Sequence, residues 1–294
     1  MRHLTIRFRP GTLKINFDPL SLAPEDLNVE NAYGVSFLAR LTLAGLLPKV
    51  PLKFLSPDLV LSQKKYIVPE MVDYKMSKRF LMPDVSVDPK VSVYPTIYPF
   101  NFLLFCAATG HFLELPRQYQ TREHLITVRE DDWLSPLDAA IQFGRVHLLP
   151  LDVLKPMDIS PKQLTTICLH EQVNCIEHLV TSENVTTDVL SFCIKGLYFP
   201  EAFEKYIIPE KVLARDDEME TPLTQAATVS CLDRFVVDRF VSHYDKVSEQ
   251  LKKWKYDLSV NPYAPNHPAF EEPKRKADIW LAELSKLVHA KANP

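Results

Sequence analysis

The chain is poor in glycine, in long apolar runs and in excess positive charge. It has only six glycines among 294 residues, so a glycine-rich phosphate-binding loop is not expected. Its most apolar stretch, residues 102–108, is far shorter than the ~20 residues that cross a bilayer, and we expect no membrane segment. The net charge of −3 provides no basic field for a phosphate backbone, and nucleic acid is therefore not predicted as a partner.

Five cysteines form an odd set without the spacing of a disulfide framework. Such thiols are typical of a reducing, cytosol-like compartment. The first eight residues alternate between apolar and polar types, unlike the continuous apolar core of a secretory signal. We therefore predict a cytoplasmic location.

Zinc-ligand residue types cluster at Cys168, His170, Cys175 and His178. Their spacing matches no common structural zinc module, and residues two apart on a helix face different sides. Cys168 aligns with core positions such as Ala107 and Ala227 of other units, and Cys106 and Cys193 align with alanines in the neighbouring position, which favours buried thiols. We predict no metal site.

Motifs for nucleophilic or metal-assisted catalysis are missing from the sequence, including Gly-x-Ser-x-Gly and His-Glu-x-x-His. We therefore predict no catalytic residues and no cofactor.

The beginning of the chain alternates at residues 4–8 and again at residues 13–17, on either side of Arg9-Pro10-Gly11-Thr12. This pattern predicts a β-hairpin. A single hairpin is marginal in water, so we expect residues 1–30 to form an N-terminal cap on the next element. The alternative is a free edge that pairs with another chain.

Two stretches share one opening: Ser-Pro-Leu-Asp-Ala-Ala at 135–140 and Thr-Pro-Leu-Thr-Gln-Ala-Ala at 221–227. Weaker copies place seven unit starts at Ser36, Val68, Asn101, Ser135, Lys162, Asp188 and Thr221. The third position of each unit then reads Leu38, Glu70, Leu103, Leu137, Leu164, Leu190 and Leu223, and the tenth reads Gly45, Ser77, Gly110, Gly144, Glu171, Leu197 and Ser230. Proline after a capping residue is a favoured helix start, and Gly permits the turn that follows.

This pattern resembles the first helix of an ankyrin repeat, and the form at 110–116 is similar to divergent, largely prokaryotic repeats. The resemblance implies an all-α repeat protein, an ankyrin-type solenoid of about seven degenerate repeats over residues 31–245. It is weakest at 68–100, where Glu70 and Asp73 stand at core positions.

The end of the chain divides into two parts. Residues 246–272 are predicted to hold a helix end and a proline-rich connector, with four prolines within 261–273. Residues 273–294 carry apolar side chains at helical spacing and predict an amphipathic C-terminal helix. We expect this helix to seal the last repeat; the alternative is a free helix that binds a partner or a membrane surface.

The function that the resemblance implies is a non-enzymatic protein-interaction module that binds, tethers or masks a partner protein. Bacterial proteins of this kind include effectors and inhibitors, so the cytosol of a host cell is an alternative location. Two other hypotheses remain: an enzyme with active residues in the divergent repeats, and a self-associating structural protein. We expect a monomer or weak self-association, without membrane binding.

The predicted partner-binding residues precede two unit starts at the same offset, as tips between repeats: Glu130, Asp131, Asp132 and Trp133, and Asp216 and Asp217. Packing does not require a large aromatic residue at a tip. A Trp beside three carboxylates has the composition of a hot spot for a basic protein surface. The alternative is that Trp133 folds beneath its own loop onto the neighbouring repeat.

Overall fold

A computed structural model of the chain describes residues 19, 21–30, 36–61, 101–128, 134–196, 198–260 and 270–292. Several predicted features lie outside these residues: the hairpin strands at 4–17, the second repeat unit at 68–100, the tip residues Glu130, Asp131, Asp132 and Trp133, and the proline-rich connector at 261–269. They stay predictions.

The described residues form helices and no strand, which confirms the all-α part of the predicted fold class for them. One isolated antiparallel bridge joins Glu30 to Ser36. The α-helices are α1 Phe37–Leu43, α2 Pro57–Leu61, α3 Phe102–Thr109, α4 Arg122–Ile126, α5 Pro136–Gln142, α6 Pro161–Leu169, α7 Thr187–Lys195, α8 Pro209–Val212, α9 Pro222–Thr228, α10 Tyr244–Val260 and α11 Glu271–Ala292. No helix in these ranges has the length and hydropathy needed to cross a membrane.

The first helix of each described unit begins at a capping side chain. The N-cap residues are Ser36, Asn101, Ser135, Ser160, Thr186 and Thr221, and each accepts a hydrogen bond from the backbone N–H three residues further on. Such caps satisfy donors that the helix itself leaves without an acceptor. In α5, α6 and α9 the residue directly after the cap is proline, whose ring fixes φ near the helical value and so favours the helix start.

The tenth position of the predicted unit marks one recurrent turn. Its five described members all adopt a left-handed backbone, with φ of 66° at Gly45, 82° at Gly110, 64° at Gly144, 57° at Glu171 and 60° at Ser230. The turn therefore recurs even where a residue with a side chain replaces glycine.

Two predicted unit starts need correction. Helices α6 and α7 begin after the caps Ser160 and Thr186, two residues before the predicted starts Lys162 and Asp188. Both helices are nine residues long, whereas α1, α5 and α9 have seven. The extra residues lie at the N-terminal end, so the third-position leucines Leu164 and Leu190 stay aligned, as does the turn at Glu171 after α6, while the starts do not.

After each turn the chain forms short 3₁₀ segments instead of a second long helix. These segments are Leu47–Lys49, Leu52–Phe54, Phe112–Glu114, Arg117–Tyr119, Val146–Leu148, Leu151–Val153, Pro156–Asp158, Val173–Leu179, Glu201–Tyr206, Leu232–Arg234 and Val237–His243, and one more, Pro24–Asn28, precedes α1. Prolines such as Pro51, Pro116 and Pro150 punctuate them, and a proline lacks the N–H that a continuous helix requires.

The chain divides into two compact units, Met1–Val153 and Leu154–Pro294. In the first unit, α3 packs against α1, α2 and α5. In the second unit, α7 packs between α6 and α9, and α10 and α11 pack on α9.

The last helix, α11, covers the final 3₁₀ segments of the second unit. Ala277, Trp280 and Leu284 of α11 are buried. The indole N–H of Trp280 donates to the Phe235 carbonyl oxygen at 3.2 Å, and its ring meets the Phe240 ring edge-on at 5.6 Å. The apolar face of α11, whose residues follow helical spacing, therefore packs against other segments of the same unit.

Candidate functional site

The loop at residues 215–220, between α8 and α9, is called the acidic loop below. Its backbone folds around Asp216, whose N–H donates to the Glu220 carbonyl oxygen at 2.7 Å and whose carbonyl oxygen accepts from the Met219 N–H at 3.0 Å. One carboxylate oxygen of Asp216, Oδ1, accepts from the backbone N–H groups of Glu218 at 3.0 Å and of Glu220 at 2.9 Å. The loop is therefore closed by two backbone hydrogen bonds and by the Asp216 carboxylate.

The second carboxylate oxygen of Asp216 faces the next helix. Gln225, near the middle of α9, donates from Nε2 to Asp216 Oδ2 at 2.6 Å and to Glu220 Oε2 at 3.3 Å. Burial by itself would raise the pKa of Asp216, but the bonds from Gln225 and the Glu220 N–H, with the charge of Lys195, outweigh it and lower that pKa. The Asp216 carboxylate thus stays ionised near neutral pH.

The two predicted site residues of this loop have different environments. Asp216 is only 8% exposed and has its carboxylate enclosed by donors, so it holds the loop and does not face a partner. Asp217 is exposed, and its backbone N–H donates to Asp188 Oδ1 at 3.0 Å on α7. The predicted pair therefore combines one positioning residue with one surface residue.

Four further loop residues face solvent: Arg215, Glu218, Met219 and Glu220. Met219 is 65% exposed and has a left-handed backbone with φ of 64°. The repeat pattern includes Glu218 and Glu220 only as part of a tip, and it places Met219 two residues before a unit start, at the position of Trp133 in the other tip. A methionine seldom adopts a left-handed backbone, so its place at the apex of the loop could not be read from residue type.

The surface around the loop is strongly acidic. Four exposed carboxylates, those of Asp188, Asp217, Glu218 and Glu220, lie on or beside the loop, together with two cations, Arg215 of the loop and Lys195 of α7. Lys195 pairs with Glu218 and, at 3.5 Å, with Glu220. Desolvation would lower the pKa of Lys195, but the bond to Glu218 and the neighbouring carboxylates raise it. Because the four exposed carboxylates outnumber these two cations, the surface keeps a negative field.

The cysteines lack the environment of reactive thiols. Cys106, Cys168 and Cys193 are buried, and Cys175 and Cys231 are partly buried. Burial raises the pKa of Cys106, Cys175 and Cys231, the last to about 11, and a hydrogen bond with Cys168 together with burial raises that of Cys193. Catalytic cysteines need a lowered pKa. Within the ranges that the structure covers, no group of three or more His, Cys, Asp or Glu side chains is placed to hold a metal ion.

One histidine–carboxylate pair has the geometry of an oriented base. The Nδ1 atom of His111 lies 2.8 Å from Oε1 of Glu114, whose second oxygen is buried without a hydrogen-bond partner. The neighbouring thiol of Cys106 is completely buried, and its pKa is raised well above the usual value. The Cys106 thiol is therefore not an accessible nucleophile for this histidine–carboxylate pair.

Comparison with protein-family models, with curated proteins and with solved structures finds no match to this chain. The repeated helix starts and turns and the acidic loop are the features from which a function is inferred.

Proposed function

We propose that this chain is a non-enzymatic, ankyrin-like interaction module and that its acidic loop binds the basic surface of a partner protein. One observation carries the proposal: the buried carboxylate of Asp216 fixes the loop backbone while Asp217, Glu218, Met219 and Glu220 face solvent. A loop that is already ordered loses less conformational entropy on binding than a free one.

The exposed side chains of the loop suit a partner that presents Lys or Arg. Asp217, Glu218 and Glu220 supply the complementary charge, which increases the association rate and selects against acidic partners. Met219 supplies a flexible apolar contact of the kind found on adaptable binding surfaces. Binding would act by occupancy, either by tethering the partner or by masking the partner's own site.

The repeat character of the chain supports the ankyrin-like part of the proposal. Six capped helix starts, four of them at the predicted residue, and five left-handed turns recur along the described residues. In ankyrin-type arrays the tips between repeats contribute to the binding face. The acidic loop, with Asp217, is the first tip of the proposal. The second tip lies at the same offset before the unit start Ser135 and consists of Glu130, Asp131, Asp132 and Trp133.

A peptide-display experiment tests the function without a known partner. A random peptide library is selected against the immobilised full chain, and the selected peptides are measured by titration. We expect enrichment in Lys and Arg and at least about tenfold weaker binding to a variant with Asp217→Asn, Glu218→Gln and Glu220→Gln.

The matched control removes three exposed carboxylates from α10, with Asp245→Asn, Glu249→Gln and Asp257→Asn. It changes the net charge equally and should leave the affinity unchanged. Peptides without basic enrichment, or an equal loss of affinity in both variants, would contradict the proposed site.

A further inference from the structure

Lys195, the last residue of α7, already pairs with two carboxylates of the acidic loop. Its Nζ atom forms an ion pair with Glu218 and lies 3.5 Å from Oε2 of Glu220. A lysine amine is charged at neutral pH. Glu218 and Glu220 are two of the three acidic side chains that the proposed function assigns to a basic partner. A cation of the chain itself therefore stands where a cation of the partner would bind.

The ion pair between Lys195 and Glu218 is open to solvent. The side chain of Lys195 is 37% exposed, and that of Glu218 is 73% exposed. Exposed pairs contribute little to stability, because water screens the charges and two long side chains lose rotamer freedom when they meet. Lys195 can therefore leave the loop at a small cost in free energy, and a competing cation can reach the carboxylate from the solvent side.

The shape of the loop is held by groups other than Lys195. Two backbone hydrogen bonds and the Asp216 carboxylate close the loop, and Gln225 Nε2 donates to Glu220 Oε2 at 3.3 Å. None of these bonds uses the lysine amine. A change at Lys195 can therefore alter the occupancy of the loop carboxylates without removing the bonds that order the loop.

Arg215 is the second cation beside the loop, and it has a different environment. It is exposed, and among the described residues it forms no ion pair with the loop carboxylates. Arg215 and Lys195 thus carry the same charge, but only Lys195 pairs with Glu218 and Glu220. A comparison of the two cations separates the occupancy of the carboxylates from the net charge of the surface.

We propose that Lys195 is an internal competitor of the basic partner, paired with Glu218 and Glu220 in the free protein and displaced when a Lys or Arg of the partner binds them. The inference rests on the proposed function of the acidic loop. A site that must first release an internal occupant binds its ligand more weakly by the free energy of that release. Lys195 therefore sets the affinity of the loop, and removal of its charge should tighten binding.

The test titrates the full chain with a peptide of four arginines flanked by glycines and compares Lys195→Met with Arg215→Met by calorimetry. Each variant lacks one positive charge beside the loop, so their net charges are equal. We expect Lys195→Met to bind the peptide about two- to fivefold more tightly than Arg215→Met. Equal affinities would mean that only charge matters, and weaker binding by Lys195→Met would mean that Lys195 positions the carboxylates. Either result would overturn the inference.

NMR of the Lys195 side chain provides a readout that does not depend on affinity. Its Cε resonance is assigned through Lys195→Met. In a variant with Glu218→Gln and Glu220→Gln, Lys195 has lost both partners, and its resonance marks the released state. Saturation with the peptide should move the resonance of the wild type toward this value. An unchanged resonance would overturn the inference, because the peptide would then bind without displacing Lys195.

Failure of this inference and failure of the proposed function give different results. In the first case the peptide binds the wild type, and Asp217→Asn with Glu218→Gln and Glu220→Gln weakens binding, but Lys195→Met binds no more tightly than Arg215→Met. In the second case the peptide binds neither the wild type nor Lys195→Met. The acidic loop is then not a site for basic partners, and both proposals are wrong.

Discussion

The hydroxyl of Tyr119 donates a hydrogen bond of 2.8 Å to the carbonyl oxygen of Leu55, a residue 64 positions earlier in the chain. The same kind of bond recurs in the second unit, where the Tyr206 hydroxyl donates to the Val180 carbonyl oxygen at 2.7 Å and Arg239 Nη1 donates to that of Ile207 at 3.1 Å. Each donor lies nine residues after the tenth position of its repeat. A side chain of one repeat therefore satisfies the backbone of an earlier one.

Removal of this hydroxyl should destabilise the protein. Tyr119→Phe leaves the buried Leu55 carbonyl without that donor, and we expect a loss of about 1–3 kcal/mol in the free energy of unfolding. Chemical denaturation measures the change. Tyr256→Phe is the control, because Tyr256 is 65% exposed and should change stability by less than about 0.5 kcal/mol. Equal effects of the two substitutions would show that the Tyr119 bond contributes nothing specific.

Two glycines at the tenth position, Gly45 and Gly110, allow the cost of backbone strain to be measured apart from the cost of steric crowding. Both have a left-handed backbone, which an alanine adopts at a cost. Nothing lies within 4 Å of a Cβ added at Gly45, so Gly45→Ala should lower the free energy of unfolding by about 1–2 kcal/mol from conformation alone. At Gly110 the added Cβ would stand 2.5 Å from Leu148 Cδ1. Gly110→Ala should therefore cost about 1–3 kcal/mol more than Gly45→Ala, as measured by urea denaturation. A smaller loss at Gly110 than at Gly45 would contradict this packing.

The Asp216 carboxylate should make stability depend on pH. The pKa of Asp216 is lowered in the folded state. Its contribution to the free energy of unfolding is therefore complete above the unfolded pKa of about 4 and is lost as the pH falls through the lower folded pKa. We expect Asp216→Asn to cost about 1–3 kcal/mol at pH 7 and progressively less at acidic pH.

Denaturation curves between pH 7 and pH 3 measure this difference between wild type and variant. Asp217→Asn is the matched control at the adjacent, exposed position, and it should change the free energy of unfolding at pH 7 by less than about 0.5 kcal/mol. A difference for Asp216→Asn that stays constant over the whole range would contradict the enclosed, ionised carboxylate.

Helix α11 should depend on Trp280 for its attachment. Trp280 is 4% exposed, and Trp280→Ala removes a large apolar surface together with the bond to Phe235, so we expect a loss of about 3–5 kcal/mol. Limited proteolysis should then cut within 271–292 faster than in the wild type. Ile279→Ala, at a neighbouring position that is 51% exposed, should leave the cleavage rate unchanged. Equal cleavage of the two variants would mean that the helix is held elsewhere.

The five thiols should differ in reactivity. Under native conditions a thiol reagent should label only Cys175 and Cys231, and slowly, because Cys106, Cys168 and Cys193 are buried. With a pKa of about 11, Cys231 is thiolate in only about one molecule in a thousand at pH 8. Mass spectrometry after timed labelling gives the order, and denaturant should expose all five. Native labelling of Cys168 as fast as that of Cys175, or protection by added zinc, would contradict buried thiols without metal.

The sequence by itself determined the local features of the described residues. Ser135 and Thr221 were placed at helix starts because a capping side chain and the following proline act within three residues of each other. The turns at Gly45, Gly110 and Gly144 follow in the same way from the backbone freedom of glycine. Such interactions depend only on neighbours in the chain, so the pattern of residue types contains them.

Only the tertiary structure decided which polar side chains are enclosed. Asp216 and Asp217 are adjacent and chemically equal, yet Gln225 from α9 encloses one and leaves the other at the surface. The bond from Tyr119 to Leu55 likewise joins residues on different elements that meet in space. Repeat patterns specify the spacing along the chain, whereas burial depends on which groups the packing of separate helices brings together.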